Sequence, residues 1–372
     1  MYKKVITLRW SVVIPAWCAA TVFGWTVGLG RINQLAAATR VYGSVAGQRS
    51  VVLLELNDET GELSARGSWP LSGEPGALTL APDGRTLFVA MRSTGRLASC
   101  RVDQATGFLE PLGEVEAGED PAHLSVDPTG QYLLAAYYVA AKVTVHAVRP
   151  DGTLAAAPLQ EVATADKAHA IVFDPGGRFA YVPHTGPSQV FQFEWNGGPR
   201  PLAPLEPGWL QRPDRSGPRH VAWHPRRPIA YINNEQGNSV TAYRVDANGT
   251  LTPGQTASTL PADFHGENAT AEIKVHPTGR WLYVSNRGHD SLARLTLEES
   301  GERLTWSECT PTEATPRSFD LSPDGRYLLS AGERSGALAV YRVDDSSGEL
   351  RPVARHLIGP RLWWVLCVRS PR

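Results

Sequence analysis

The sequence predicts an all-β protein built from repeated units, and three observations support this prediction. Gly (35) and Pro (29) are abundant in the 372-residue chain, although hydrophobic residues reach 42%. A chain with this apolar content is globular, so the excess glycine and proline belongs in many tight turns. A turn motif recurs about every 50 residues. Between the motifs, we find no apolar run with the 3.6-residue period of an amphipathic helix.

Net charge and cysteine content exclude several classes of function. The 36 Lys and Arg against 37 Asp and Glu give a net charge of −1. A protein that binds nucleic acid electrostatically carries a basic excess, so no nucleic-acid partner is expected. The four scattered cysteines, Cys18, Cys100, Cys309 and Cys367, lack metal-site spacing and form a poor disulfide framework. We therefore expect no metal, no cofactor and no disulfide scaffold.

The recurring motif is a Pro-containing turn between two short β-like runs. Pro sets φ for the first turn position and Gly takes the left-handed one, so each motif joins two antiparallel strands. The motif prolines lie 46 to 52 residues apart, a period that means one supersecondary unit per repeat. The six copies are Ala81-Pro-Asp-Gly-Arg85, Asp127-Pro-Thr-Gly-Gln131, Asp174-Pro-Gly-Gly-Arg178, His224-Pro-Arg-Arg-Pro228, His276-Pro-Thr-Gly-Arg280 and Ser322-Pro-Asp-Gly-Arg326.

Each repeat also holds a further alternating run and a second turn, as in Val240–Asp246 followed by Asn248-Gly249. Four short strands per repeat make one blade of a β-propeller. The second half of the repeat occurs seven times, beginning with Arg40 to Leu63. The first half occurs six times, with a weak seventh copy from Gly359 to Val368. The sequence therefore predicts a seven-bladed β-propeller over residues 39–370, closed by a blade built from both termini.

Residues 1–38 differ in character from the rest of the chain. Lys3, Lys4 and Arg9 precede an apolar stretch from 10 to 29, and small residues follow at 36–38. This order is typical of a secretory signal, and the apolar stretch is nearly long enough for a membrane anchor. An over-extended gene start is the third interpretation. A signal would place the protein in the periplasm or outside the cell, and an over-extended start in the cytoplasm. In each case we expect no strand of the ring within residues 1–38.

The repeat register predicts which side chains gather at one mouth of the central channel. Positions six before and ten after each motif proline belong to the same end of a hairpin whose first strand lines the channel. The six-before positions are Gly76, Ala122, His169, Arg219, Ala271 and Arg317. The ten-after positions are Arg92, Tyr138, Thr185, Glu235, Arg287 and Glu333, and His123, His220 and Glu272 lie one residue further along the inner strands. So many ionisable groups on otherwise apolar strands indicate either pairing or function.

Structural interpretations exist for several of these residues. Arg219 and Glu235 belong to the same blade and can form an ion pair that links two strands. His123 and His220 can be hydrogen-bonded histidines of the inner strands. The arginines of the turn motif (Arg85, Arg178, Arg280 and Arg326) recur in most blades and are interpreted as structural, as are His224 and His276.

Four segments from the fifth and sixth repeats carry a further signal. They are Gly217-Pro-Arg-His-Val-Ala-Trp-His-Pro225, Tyr231-Ile-Asn-Asn-Glu235, Ala271-Glu-Ile-Lys-Val-His-Pro277 and Tyr283-Val-Ser-Asn-Arg287. These segments resemble the seven-bladed lactonase family, which includes propeller-type 6-phosphogluconolactonases and the fungal carboxy-muconate lactonising enzyme. Thr312–Arg317 and Tyr327–Gly332 fit as well, so the resemblance spans roughly residues 40 to 368. The ending Gly359-Pro-Arg-Leu-Trp-Trp364 departs from the usual family pattern.

The resemblance implies catalytic roles for His169, Arg219, Glu235 and Arg287 at the channel mouth. We add His220, Glu272, Arg317 and Arg92 as candidates for substrate binding. The implied reaction is hydrolysis of a sugar-acid lactone by activated water, and the first-choice substrate is 6-phosphogluconolactone of the pentose phosphate pathway. Arg219 and Arg287 would stabilise the oxyanion or clamp an anionic group, and either Glu235 or His169 would act as the base.

Two alternatives stay open from the sequence. A propeller can be a non-enzymatic binding or envelope scaffold, because this fold hosts many functions. The same site can also catalyse a muconate-type lactone cycloisomerisation. For the hydrolase we expect a small anionic lactone as the partner, a monomeric state, and membrane contact only through an uncleaved N-terminal segment.

Overall fold

Seven four-stranded antiparallel blades form a ring in the computed structural model, which describes residues 6–7 and 39–370. The prediction of an all-β, seven-bladed propeller is confirmed. Within the described ranges, helical structure is limited to a single 3-10 turn, Ala46–Gln48.

The blades are numbered 1 to 7, and the strands of each are given from the channel outwards. They are Leu362–Arg369, Thr39–Val45, Ser50–Leu56 and Leu63–Pro70 (blade 1); Pro75–Leu80, Thr86–Met91, Arg96–Val102 and Leu109–Glu116 (blade 2); Pro121–Val126, Tyr132–Tyr137, Lys142–Ala147 and Gln160–Ala163 (blade 3); Val172–Phe173, Phe179–His184, Gln189–Trp195 and Leu202–Gln211 (blade 4); Pro218–Trp223, Ile229–Asn234, Ser239–Val245 and Leu251–Ser258 (blade 5); Ala269–Val275, Trp281–Arg287, Ser291–Leu297 and Leu304–Pro311 (blade 6); and Pro316–Leu321, Tyr327–Gly332, Ala337–Val343 and Leu350–Leu357 (blade 7).

Blade 1 closes the ring as predicted, because the two ends of the chain share it. The C-terminal strand Leu362–Arg369 pairs antiparallel with Thr39–Val45 and becomes the inner strand of this blade. Leu362, Val365 and Val41 are buried in one apolar cluster together with Leu329 of blade 7. The closure therefore hides apolar faces and removes two sheet edges at once.

Neighbouring blades are joined by a repeated tyrosine contact as well as by apolar packing. A tyrosine on the second strand donates its hydroxyl proton to a backbone carbonyl in an outer turn of the next blade. In three cases, Tyr181–Gly249, Tyr231–Gly301 and Tyr283–Gly348, the oxygen–oxygen distance is 2.6 Å. These glycines have φ between 74° and 82°, the left-handed region that favours glycine. Burial makes each phenol a packing group and requires a partner for its hydroxyl.

One expectation for residues 1–38 is wrong. Ile6–Thr7 form a two-residue strand that pairs in parallel with Leu350–Leu357, at the outer edge of blade 7. That edge offers unpaired N–H and C=O groups, which a passing segment can use. The three interpretations of residues 1–38 otherwise concern positions outside the described residues, as does Cys18. Cys100, Cys309 and Cys367 are free thiols. The described residues contain no helix long and apolar enough to cross a membrane.

Candidate active site

A β-bulge at the mouth end of the inner strand occurs in every blade except blade 4 and positions most of the candidate residues. In blade 5, Arg219 and His220 together stand opposite Asn233, because pairing skips from Pro218 to Val221. The amide freed by the bulge is satisfied, since His220 N donates to Asn233 Oδ1 at 2.9 Å. Blade 6 repeats the arrangement, and there Glu272 N donates to Ser285 Oγ, also at 2.9 Å. The bulge bends the strand and aims these side chains into the channel.

At this mouth, one carboxylate is shared by two arginines from different blades. Glu235 Oε2 lies 3.0 Å from Arg219 Nε, and Glu235 Oε1 lies 3.2 Å from Arg287 Nη2. The Arg219 side chain is 2% exposed and that of Arg287 is 16% exposed. The expected ion pair within blade 5 is therefore present, and Arg287 extends it across the interface with blade 6. Two cations on one anion leave positive charge at a desolvated site.

The charges of this cluster follow from burial and from one another. Burial lowers the pKa of Arg219 to about 9, with Arg287 contributing and Glu235 opposing the shift. Arg219 is therefore still a cation at neutral pH. Burial raises the pKa of Glu235, but Arg219 and Arg287 together lower it by more, so it lies below its usual value. Glu235 is thus a firmly ionised carboxylate with both oxygens engaged.

His220 and Glu272 lie beneath Arg219 and continue this network of contacts down the channel. His220 Nδ1 lies 2.9 Å from Glu272 Oε1, and Arg219 Nη1 lies 3.3 Å from His220 Nε2. Burial lowers the pKa of His220 to about 4, so its ring is neutral. A neutral ring that donates Nδ1–H to the carboxylate accepts from the guanidinium at Nε2, which satisfies both neighbours.

Glu272 is the anionic end of this chain of contacts. Burial raises the pKa of Glu272, but His220, Lys274 and Arg219 outweigh it and lower the value to about 2. The side chains of His220 and Glu272 are each 4% exposed. This geometry favours a role in orienting Arg219 over direct contact with substrate.

His169 reaches the same mouth from blade 4, although not from a regular strand. It lies in an irregular segment before the short inner strand Val172–Phe173. Pro183 faces this segment from the neighbouring strand. It accepts a hydrogen bond from His169 N at 2.9 Å but has no N–H to return. The prediction of an inner strand at His169 is therefore wrong, while its expected place at the mouth is confirmed.

The imidazole of His169 is neutral and has one free nitrogen. Its ring centre lies 5.1 Å from that of His220 and 5.7 Å from that of Tyr138. Burial, assisted by Arg219 and His220, lowers the pKa of His169 well below its usual 6.5. Its Nδ1 atom is buried without a hydrogen-bond partner among the described residues. Such a nitrogen can accept a proton from a bound water.

Arg317 and Arg92 line the other side of the mouth. Arg317 Nη1 lies 3.3 Å from Glu333 Oε2, and Arg92 forms a bidentate pair with Asp120. All eight predicted site residues thus gather at one end of the channel, although they come from five blades. Their roles in catalysis or binding stay predictions.

Several buried polar atoms at this mouth have no hydrogen-bond partner among the residues that the structure describes. A native interior leaves few such atoms, so a cluster marks a place where a ligand can supply the missing bonds. Those at the mouth are His169 Nδ1, Thr185 Oγ1, Arg287 Nε, Glu272 Oε2 and Trp363 Nε1. Among the residues that the structure describes, no group of three or more His, Cys, Asp or Glu side chains has metal-binding geometry.

Two residues of the mouth escaped the sequence reasoning. Trp363 is the extra residue of the bulge in blade 1, where pairing skips from Trp364 to Leu362. The register argument did not include Trp363, because no motif proline follows the last strand of the chain. Asp120 precedes the inner strand of blade 3 with a φ of 56°. The Asp-Pro dipeptide at 120–121 could have indicated this position, because Asp tolerates a positive φ and Pro is often the first residue of a strand.

Comparison with known proteins identifies the family. Residues 37–367 match the family described as "Lactonase, 7-bladed beta-propeller". A 6-phosphogluconolactonase of Pectobacterium carotovorum subsp. carotovorum is 32% identical over 306 residues, which are 82% of this chain and 91% of that protein. One from Serratia proteamaculans is 30% identical over 328 residues, covering 87% and 97%.

A solved structure agrees with these relatives. The periplasmic gluconolactonase of Pseudomonas aeruginosa superposes with a TM-score of 0.84 at 27% identity, over 90% of this chain and 100% of that one. The fold, the family model and the relatives therefore lead to the same assignment. The chain belongs to the seven-bladed β-propeller lactonase family.

Proposed function

We propose that the protein hydrolyses a sugar-acid lactone, 6-phosphogluconolactone, to 6-phosphogluconate at this channel mouth. The curated relatives bear the name of this activity, and they align with this chain over nearly their whole length. The observation that carries the proposal is the buried Arg219–Glu235–Arg287 cluster, because hydrolysis of a lactone develops negative charge on the carbonyl oxygen.

Arg287 stabilises the oxyanion directly in this proposal. It is the more exposed of the two clustered arginines, and its Nε–H has no hydrogen-bond acceptor among the described groups. Glu235 holds it from the side, and Arg287 Nη2 also donates to Thr270 O at 3.2 Å. A guanidinium fixed in this way needs little reorganisation when the carbonyl becomes an oxyanion. Arg219, which is more deeply buried, adds positive potential from behind.

His169 is the general base. Both oxygens of Glu235 are occupied by arginines, whereas His169 is neutral and keeps an unengaged nitrogen. Water attacks the lactone carbonyl carbon as His169 takes its proton, and the ring C–O bond then breaks. The proton passes from His169 to the leaving alkoxide, so the histidine returns to its neutral state. The new carboxylic acid ionises and releases one proton to the solvent.

That released proton provides the test. Titration at constant pH measures turnover of 6-phosphogluconolactone and of unphosphorylated gluconolactone, with residues 39–372 as the protein. We expect hydrolysis well above the spontaneous rate, with the higher kcat/KM on the phosphorylated lactone. Turnover of neither lactone would overturn the proposal and return attention to a binding scaffold. Lactone formation from a muconate would indicate the cycloisomerase instead.

A further inference from the structure

We propose that Arg92, Arg317 and Trp363 form a subsite for the phosphate group of the substrate, a phosphomonoester. This inference rests on the proposed function, because it assigns one end of that substrate. It concerns the side of the mouth away from Glu235, where the geometry is unlike that of an ordinary surface ion pair.

Three guanidinium groups surround the indole of Trp363. Their central carbons lie 5.3 Å (Arg317), 5.7 Å (Arg92) and 5.6 Å (Arg361) from the centre of the ring. The bulge in the inner strand of blade 1 places this indole between arginines from blades 2 and 7. Cation–π attraction holds such an arrangement together, but it does not neutralise the positive charge.

The carboxylates nearby leave donors free on these arginines. Asp120 engages Nε and Nη2 of Arg92, and Glu333 accepts from Nη1 of Arg317. A guanidinium has five N–H groups, so both retain donors for another acceptor. Burial lowers the pKa of Arg317, and the neighbouring Arg287 and Arg92 lower it further, against the opposing effect of Glu333. Arg317 therefore lies in an environment that still favours an added anion.

The indole itself lacks an acceptor. Trp363 Nε1 is buried from solvent and has no hydrogen-bond partner among the described residues. An indole N–H is a donor only, and leaving it unpaired in the interior is unfavourable. A group that offers several oxygens and carries negative charge satisfies the indole and both arginines together. A phosphate monoester, with three terminal oxygens and a charge between −1.5 and −2, has these properties.

The two halves of the mouth suit the two ends of one substrate. Arg317 contributes to lowering the pKa of Glu235, and Arg287 contributes to lowering that of Arg317, so both halves share one electrostatic environment. In 6-phosphogluconolactone, the carbonyl carbon and the phosphate-bearing carbon are at opposite ends of the carbon chain. The lactone carbonyl then faces Arg287 while the phosphate lies between Arg317, Arg92 and the indole N–H.

Trp363→Phe tests this assignment, because Phe keeps an aromatic face for the arginines and removes the N–H. For 6-phosphogluconolactone we expect kcat/KM to fall on the order of 10-fold through KM, as for loss of one hydrogen bond to a charged group. Arg317→Gln should cause a larger loss on the same lactone. On unphosphorylated gluconolactone both losses should be several-fold smaller. The matched control is Trp306→Phe, which changes an indole on an outer strand.

Inorganic phosphate supplies an independent measurement. It should inhibit the native protein competitively, and its inhibition constant should rise in Trp363→Phe and Arg317→Gln but not in Trp306→Phe. Equal losses on both lactones, or an unchanged inhibition constant, would overturn the subsite while leaving the lactonase proposal intact. If the native protein turns over neither lactone, the proposed function fails. Calorimetric binding of inorganic phosphate then tests the subsite, and equal affinity in native protein and variants overturns it.

Discussion

Arginines gather at two ends of the molecule, the mouth of the channel and the turn face. The turn face is the end opposite the mouth and carries the Pro-containing turns. On the turn face, Arg326 pairs at 2.5 Å with Asp324, two residues away, and its side chain is 42% exposed. At the mouth, Arg219 is 2% exposed and shares Glu235 with an arginine from another blade. Arginine recurs at the same place in four of the six turn motifs, whereas the mouth positions carry several side-chain types that change from blade to blade. The recurring arginines serve the turns, and the site forms where the mouth positions bring charged groups of different blades together.

Cavity volume does not distinguish the mouth from the turn face in this way. A cavity of about 890 Å³ lies on the turn face between blades 2 and 3. Two charged groups of its lining have local or exposed partners, since Asp103 caps its own turn through Thr106 and Arg101 pairs with the exposed Glu110. The mouth instead combines burial, shared charges and unpartnered polar atoms. Chemical environment, rather than volume, therefore identifies the candidate site.

The largest expected effect is at the base. His169→Asn keeps a small polar side chain but removes the basic nitrogen, so kcat should fall on the order of 10²–10⁴-fold. Glu235→Gln should lower kcat by less, because Glu235 holds the arginines and does not move the proton. Titration at constant pH with saturating lactone gives both values. If Glu235→Gln proves the more damaging change, the carboxylate is the base and His169 is a binding group.

The arginine comparison is sharpened by a matched pair of variants. Arg287→Gln at the mouth should lower kcat/KM on the order of 10²–10³-fold, by analogy with the loss of an oxyanion donor. Arg326→Gln on the turn face should leave it within about twofold, since exposed pairs contribute at most about 1 kcal/mol. Steady-state kinetics with thermal melts as a folding control measure both. Similar losses in the two variants would erase the distinction between mouth and turn face.

A smaller loss of activity is expected when Glu272, which lies behind Arg219, is changed. Glu272→Gln keeps the shape of the side chain but weakens the hold on His220 Nδ1–H, so the guanidinium above is less well oriented. We expect kcat to fall on the order of 10-fold with little change in KM, as for other residues that orient a catalytic group. Glu272→Asp should recover part of the loss. A rise in KM with unchanged kcat would instead assign Glu272 to substrate binding.

Acid should destabilise the protein through the buried histidines of the mouth. Burial lowers the pKa of His123 to about 3 and that of His220 to about 4, from an ordinary value of 6.5. Both are neutral when folded, and the unfolded chain binds more protons below pH 6.5. Their contribution to stability is therefore complete above pH 6.5 and declines as the pH falls towards 4.

Urea unfolding measures this decline. Between pH 7.5 and pH 5 we expect a loss of at least about 1 kcal/mol in the free energy of unfolding. Constant stability over this pH range would contradict the assignment of neutral, buried histidines at the mouth.

The repeat made most of this architecture predictable. Turn chemistry is local, so the six turn motifs were enough to predict the repeating unit, and the seven copies of its second half predicted the blade count. Strand register then placed residues such as Arg219 and Arg287 at one mouth. Closure of the ring followed from counting the two halves of the repeat separately. These parts depend on residues near one another in sequence, which is why the sequence alone revealed them.

The remainder depends on contacts between distant segments. Trp363 lies on a strand with no following turn to fix its register, and the irregular path at His169 arises because Pro183 on another strand lacks an N–H. The pairing of Ile6–Thr7 with blade 7 uses a free sheet edge that no local pattern records. That Glu235 bridges two arginines from different blades likewise required the packed ring.

The most direct test of the central claim is a crystal structure with the product, 6-phosphogluconate, bound. We predict that its carboxylate lies against Arg287 at the mouth, within reach of His169, and that the turn face stays free of product. Product bound instead in the cavity between blades 2 and 3, against Arg85, Arg101 or Arg149, would contradict the assignment of the active site to the mouth.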